Sequence, residues 1–223
     1  MGIRAYKLSM FALVFALCVG AAALAASKDS GSVDITYKIT IQGEKPQSLD
    51  AKVWFTKDNA RIESAGMPGS VFPKAKGGGK NVVIVSGLKM VAYAIIPGME
   101  YAIMYKLDSL GFTGGKPAGN PSEVLNPKKY PSGTKIAKTG TKTYKGAKVT
   151  VYTVTFTTKS QSPMTVYANS ANLPVFICGK AGDAPYEATF KNYKFFKPAA
   201  KLFELPKNMP VMDMSALEQA LNS

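Results

Sequence analysis

Val33-Asp34-Ile35-Thr36-Tyr37-Lys38-Ile39-Thr40-Ile41 puts an apolar side chain at every odd position and a polar one at every even position. A period of two is the spacing of a β-strand with one buried face. Residues 49–56 repeat it, with Leu49, Ala51, Val53 and Phe55 on one face and Asp50, Lys52, Trp54 and Thr56 on the other. Residues 59–64 follow as a short return strand, with Ala60 and Ile62 facing in. Strands of this kind are antiparallel neighbours with one face in water.

The pattern then changes. Residues 66–80 are a Gly/Pro/Lys loop, and beyond it residues 82–85, 90–96 and 101–107 are apolar on both faces, with turns at Ser86-Gly87 and Pro97-Gly98. The middle of the sheet is therefore expected to be covered on two sides, one face meeting the core or a cavity and the other needing a lid. Residues 108–133 are the candidate lid. This irregular stretch holds five glycines and four prolines, with one helical turn at Asn120-Pro121-Ser122-Glu123. A loop of this length in a compact domain is usually functional.

Strands resume over about 134–144, 146–158, 163–169, 174–179 and 186–196, with a turn at Tyr144-Lys145-Gly146. After that turn the apolar phase slips from Ala147, Val149 and Val151 to Tyr152, Val154 and Phe156, which predicts a β-bulge within 146–158. Ser215 caps a short helix at the C-terminus, with Glu218 three residues on. The fold class read from these elements is mainly β: a single long, curled antiparallel sheet with little helix.

Arg4, Lys7, the apolar run 10–25 and the small residues Ala23-Leu24-Ala25 have the form of a secretory signal peptide, with cleavage expected after Ala25. The run falls short of the roughly 20 apolar residues that span a bilayer. Cys18 follows Leu17, where a lipoprotein signal has a small residue, so an outer-membrane lipoprotein is not the expectation. The organisation that follows is a signal peptide at 1–25, a β domain at 26–214 with its lid at 108–133, and a helix at 215–223. The expected location is the periplasm of a Gram-negative bacterium.

Without Arg4 and Lys7 the chain carries 26 basic residues against 14 acidic ones, a formal charge of +12. No acidic residue lies between Glu123 and Asp183, whereas Lys128, Lys129, Lys135, Lys138, Lys142, Lys145 and Lys148 all do. Two readings stand side by side: a solvated, solubilising face, or a face for an anionic partner. In the periplasm that partner is lipid headgroups or lipopolysaccharide rather than nucleic acid. A surface lysine near an anionic membrane is worth about 1 kcal/mol.

Residues for chemistry are scarce. The chain has no histidine, which removes the commonest general base and metal ligand. Cys178 is the one cysteine after the signal, so neither an internal disulfide nor a thiolate metal site is expected. It reads as a buried small hydrophobe in Val175-Phe176-Ile177-Cys178. Gly77-Gly78-Gly79-Lys80 is followed by Asn81 where a phosphate loop needs Ser or Thr. Ser132-Gly133-Thr134-Lys135 and Lys138-Thr139-Gly140 imitate the S-x-x-K and K-T-G pair of penicillin-binding enzymes, but they almost touch and no helix begins at the serine. Neither an enzyme nor a cofactor is expected. Met and Tyr make adaptable apolar walls. Val83, Val85, Met90, Tyr93, Tyr101, Met104, Tyr105 and Phe156 are accordingly the candidates to line a ligand cavity, with ordinary core as the plainer alternative.

Three stretches carry a family resemblance. Val53-Trp54-Phe55-Thr56-Lys57 through Arg61-Ile62-Glu63, Tyr167-Ala168-Asn169 through Leu173-Pro174-Val175, and Phe203-Glu204-Leu205-Pro206-Lys207 occur in order across about 33–214. Together they resemble the LolA/LolB/LppX-like superfamily of bacterial envelope proteins, and within it the short relatives known only as domains of unknown function. The resemblance implies an unclosed half β-barrel whose concave face is plugged by loops or short helices. It implies a non-enzymatic carrier or binder of a lipid or acylated lipoprotein, held by its acyl chains. The helix expected before the first strand is missing, and the mid-chain helices shrink to a Gly/Pro loop, so apolar-ligand binding is implied more than lipoprotein transfer itself. The rival expectation is an envelope interaction or sensor module acting through the basic face or a sheet edge, without a lipid.

Overall fold

A computed structural model describes residues 30–40, 45–65, 79–107, 125, 130, 133–156, 162–181 and 183–214. The expected signal peptide, most of the 108–133 stretch and the expected C-terminal helix lie outside the described residues.

Twelve strands form one sheet among the described residues. In chain order they are β1 (Gly31–Ile39), β2 (Gln47–Phe55), β3 (Asn59–Ser64), β4 (Asn81–Ser86), β5 (Val91–Ile95) and β6 (Ala102–Lys106). Then come β7 (Lys135–Tyr144), β8 (Ala147–Thr155), β9 (Met164–Ala168), β10 (Pro174–Ala181), β11 (Ala184–Phe195) and β12 (Val211–Asp213). The spatial order is β12-β6-β5-β4-β3-β2-β1-β11-β10-β9-β8-β7, antiparallel throughout except for the parallel β12–β6 pair. β7 and β12 end the sheet and do not pair with each other, so it stays unclosed. The chain runs two antiparallel meanders, β1–β6 and β7–β11, and joins them where β1 pairs with β11.

The alternation that opens the sequence sets the inner face. Ile35, Tyr37 and Ile39 of β1 stand opposite Ala51, Leu49 and Gln47 of β2, and opposite Phe190, Ala188 and Tyr186 of β11. Val33, Val53 and Phe55 have no exposed surface. Burying a side chain of this kind contributes about 1.5–3 kcal/mol. The other face of β1 is wet, and it is tied by Thr36 Oγ1 donating to Asp50 Oδ1 at 2.6 Å and Asn192 Nδ2 donating to Asp34 Oδ2 at 2.9 Å.

Curl comes from extra residues. The β1–β11 register shifts between Ser32 and Asp34, where Asn192 of β11 has a φ of 55°. The β9–β10 register shifts between Pro174 and Phe176, and the β7–β8 register between Lys138 and Gly140. The last shift corrects the expectation of a bulge within 146–158: the extra residue is Thr139, on the neighbouring strand. The phase slip along β8 has another cause. Val149 and Val154 are both buried but face opposite sides of the sheet, since Val151 pairs with Tyr167 and Val154 with Met164.

The middle strands are apolar on both faces, and both are covered. Ile84 lies on the outer face opposite Arg61 and Tyr93, yet is 1% exposed. A 3-10 turn at Ala200–Phe203 packs on β3 and β4, and Arg61 donates from Nη1 to the Leu202 carbonyl at 3.0 Å. The outer cover is therefore the C-terminal segment, which runs from β11 back across the sheet and pairs as β12 with β6. The 108–133 stretch was the expected cover. Of that stretch residues 125, 130 and 133 are described, and Leu125 and Tyr130 pack on the inner face, with the Tyr130 ring 5.7 Å from that of Phe156.

Candidate functional site on the inner face of the sheet

Cross-strand partners share a face, so the register sorts the expected cavity residues. Val83 and Val85 belong to the inner core with Phe156, and Met90 packs against it from the β4–β5 turn. Tyr101 and Tyr105 are half-buried against a smaller cluster of Ala94, Ile96 and Ile103, farther along the same face. Tyr93 and Met104 pair with each other and with Ile84, on the outer face. The inner face thus brings six of the eight together in two groups and leaves Tyr93 and Met104 on the far side of the sheet.

Along the inner face of β2–β5 the small side chains Ala51, Ala60, Ser64, Ala92 and Ala94 are interspersed with Val53, Ile62, Val83 and Val85, and with the larger Leu49 and Phe55 of β2. In this row Asn81 stands beside Ser64 and next to Val83. It is 1% exposed, and among the described residues neither its amide nitrogen nor its oxygen has a hydrogen-bond partner. The Tyr37 hydroxyl, on the same face, is also buried without a partner. A buried polar group left unpaired costs about 1–3 kcal/mol. Sequence reading passed over Asn81 because it noted only that Asn spoils the phosphate-loop pattern. Its position at the first inward-facing site of β4 was the available signal. Asn81→Leu, of similar size, is expected to raise the unfolding free energy by about 1–3 kcal/mol, measured as a shift in denaturant midpoint.

Two aromatic side chains stiffen the β1–β11–β10 part of this face. Tyr37 and Tyr186 stack with ring centroids 6.0 Å apart. Gly179 faces Tyr186 across the β10–β11 pair, and a Cβ there would meet the Tyr186 hydroxyl at 2.9 Å, so the ring occupies the space that glycine leaves. Tyr186 directs its hydroxyl to the Met164 sulfur at 4.0 Å. Burial pushes the Tyr37, Tyr130 and Tyr186 hydroxyls above their ordinary value, and the Tyr186 charge adds to the effect at Tyr37 and Tyr130.

The described lysines of the expected anionic-partner face gather at the other end of the sheet. Lys135, Lys138 and Lys142 lie on β7, Lys145 occupies the β7–β8 turn with a φ of 50°, and Lys148 begins the exposed side of β8. Lys128 and Lys129 lie outside the described residues. Cys178 is half-buried on the outer face, opposite Thr165 and Glu187. Burial first, and then Glu187, raises its thiol pKa, the condition of an inert thiol rather than a nucleophile.

A groove of about 580 Å³ opens on the rim between the β2–β3 turn and the C-terminal segment, lined by Thr56, Lys57, Asn59, Pro198, Phe203 and Glu204 among others. None of the expected cavity residues lines it. Among the described residues no three His, Cys, Asp or Glu side chains group as metal ligands, and no helix is long and apolar enough to cross a membrane.

No family model matches the sequence, and no curated protein matches it. Solved structures do. The chain shares its fold with an uncharacterized conserved protein from Thermus thermophilus, at a TM-score of 0.50 and 12% identity, over 82% of this chain and 91% of that one. It is similar to a LolA superfamily protein from Nitrosomonas europaea (TM-score 0.40, 10% identity, 86% and 96% covered). It is similar as well to the Mycobacterium tuberculosis lipoprotein LppX (TM-score 0.41, 14% identity, 85% and 93% covered). The mainly β fold expected from the sequence, one sheet that stays unclosed, is the architecture found. One of the three stretches that carry the family resemblance has a visible structural cause. Asn169 Oδ1 accepts from the backbone N–H of Ala171 and of Leu173, at 3.0 and 2.9 Å, and closes the β9–β10 turn before Pro174.

Proposed function

We propose that this protein is a non-enzymatic binder or carrier of a lipid-like or acylated ligand, held on the inner face of its unclosed sheet and working in the periplasm. The observation that carries this reading is the inner face itself: apolar side chains from β2 to β5, many of them small, with Asn81 and the Tyr37 hydroxyl buried on the same face and unpaired among the described residues. Polar groups in an apolar wall fix the orientation of a bound molecule. Each buried methylene of an acyl chain adds about 0.8 kcal/mol, so partial insertion of one chain gives reversible holding. The family resemblance of the sequence points the same way.

Native mass spectrometry of protein purified from cell envelopes tests the proposal. The expected result is a displaceable lipid mass, with a fluorescent acyl probe bound by the stripped protein and competed off by fatty acid. Stripped protein that takes up no acyl probe would count decisively against it. The basic end of the sheet favours a second reading, an envelope interaction or sensor module that needs no lipid. Charge reversal at Lys138, Lys142 and Lys145 separates the two: partner capture is lost under the second reading, while acyl binding persists under the first.

A further inference from the structure

The outer face of the sheet, near its β7 edge, carries a feature that no part of the carrier reading uses. Tyr144, Tyr167 and Phe176 come from three different strands and meet in a triangle, with ring centroids 5.5, 5.2 and 5.1 Å apart. All three are half-buried, so each still offers ring surface to solvent. The register explains the meeting. Val151 and Tyr167 pair on the outer face, and the bulge at Thr139 re-phases β7 so that Lys142 and Tyr144 join them there. Without the extra residue, Tyr144 would point inward.

Lysines surround the triangle. The Lys142 ammonium lies 3.9 Å from the Tyr167 ring centroid and donates to the Tyr167 hydroxyl, and the Lys145 ammonium is 5.2 Å from the Tyr144 centroid. Lys138 faces the other side of the same edge strand, opposite Tyr152. Between Glu123 and Asp183 the sequence has no acidic residue, and Glu187 of β11, opposite Cys178, shares the outer face with the patch.

We infer that this patch docks the protein onto the headgroup layer of an anionic membrane. The chemistry matches on two counts. Tyrosine has an apolar ring and a wet hydroxyl, the amphipathic form that settles at a bilayer interface. Lysines around it meet lipid phosphates, each adding a small, salt-sensitive attraction. An acidic peptide adding a strand to β7 is the competing occupant, and the edge is built against it. Lysines along an edge strand and a bulge in its middle are the devices that keep another chain from pairing there. Such docking does not depend on what the inner face holds.

Vesicle co-sedimentation of the full chain tests this. Vesicles of phosphatidylcholine with phosphatidylglycerol are expected to pull the protein down at low salt, phosphatidylcholine alone is not, and added salt should release it. The double variant K142E/K145E should bind the anionic vesicles about tenfold to a hundredfold more weakly. The control K89E/K207E makes the same charge change away from the patch and should bind like the wild type. Y144S/Y167S should bind more weakly while keeping the wild-type dependence on salt, which a loss of charge alone would flatten. Circular dichroism and thermal midpoints of all variants show whether they fold. Equal weakening by patch and control pairs would mean that only total charge matters, and would overturn the inference. So would capture of a synthetic acidic peptide on β7 without any binding to anionic vesicles.

Discussion

Above about pH 10 the folded protein is expected to lose stability at roughly 5 kcal/mol per pH unit, on account of four tyrosines. Tyr37, Tyr130 and Tyr186 are buried, Tyr193 donates its hydroxyl to the Pro174 carbonyl at 2.7 Å, and desolvation raises all four hydroxyls above the ordinary value of 10.0. In the unfolded chain these hydroxyls release their protons near that value. In the folded chain they keep them. The unfolded state then binds fewer protons than the native one, so unfolding becomes easier as pH rises. The contribution is intact below the unfolded pKa and drains away through the range leading up to the folded one. Each group contributes a slope of about 1.4 kcal/mol per pH unit, and the four act together because they share or pack against one core. With no histidine in the chain, the curve should be nearly flat from about pH 6 to 9. Urea midpoints across the alkaline range measure the slope. Tyr37→Phe should remove about a quarter of it while relieving the unpaired hydroxyl, so the variant should be at least as stable as the wild type at neutral pH. An alkaline slope unchanged in that variant would show that Tyr37 ionises as freely folded as unfolded.

The strands were legible for a simple reason. Where one face is buried and the other is wet, as in 33–41 and 49–56, alternation alone gives both the element and its facing, and β1 and β2 lie within two residues of the expected bounds. The middle strands, apolar on both faces, were legible as strands but not as faces. Nothing in Tyr93 or Met104 distinguishes an inner from an outer tyrosine or methionine, and register with Ile84 decides it. The cover of the outer face was missed because a 3-10 turn and a three-residue strand leave almost no periodic trace. The bulge was placed one strand too late for a related reason. The sequence of β8 records that both its faces are buried in turn, whereas Thr139 looks like any other residue of a Lys/Thr/Gly edge. The aromatic triangle escaped altogether, since Tyr144, Tyr167 and Phe176 are far apart in the chain and only the bulged register unites them. For the inner face, the apolar stretch 82–107 marked the strands β4 to β6 without showing which of their side chains point inward. The unpaired amide of Asn81 could not be foreseen, because pairing is decided by neighbours across strands.

Phe55→Ala is expected to cost about 3–5 kcal/mol, the usual loss for deleting a fully buried aromatic ring. Phe55 has no exposed surface, and its ring meets that of Phe195 edge-on at 6.4 Å. Between them lies Gly31, opposite both residues in the β1–β2 and β1–β11 ladders. A Cβ on Gly31 would come within 2.0 Å of the Lys194 carbonyl oxygen, so the backbones close up there and the two rings join the meanders across the gap. Losing the Phe55 ring therefore loosens the seam that unites β1–β6 with β7–β11, besides leaving a void. The same void probes function. An interior that takes hydrocarbon should take more of it once the ring is gone, and a ligand that binds only the folded state stabilises it in proportion to its affinity. Saturating fatty acid is then expected to restore part of the lost stability, and to raise the denaturant midpoint of Phe55→Ala further than that of the wild type. If the interior is simply solid core, the variant unfolds at the same midpoint with and without fatty acid, and the wild type does as well.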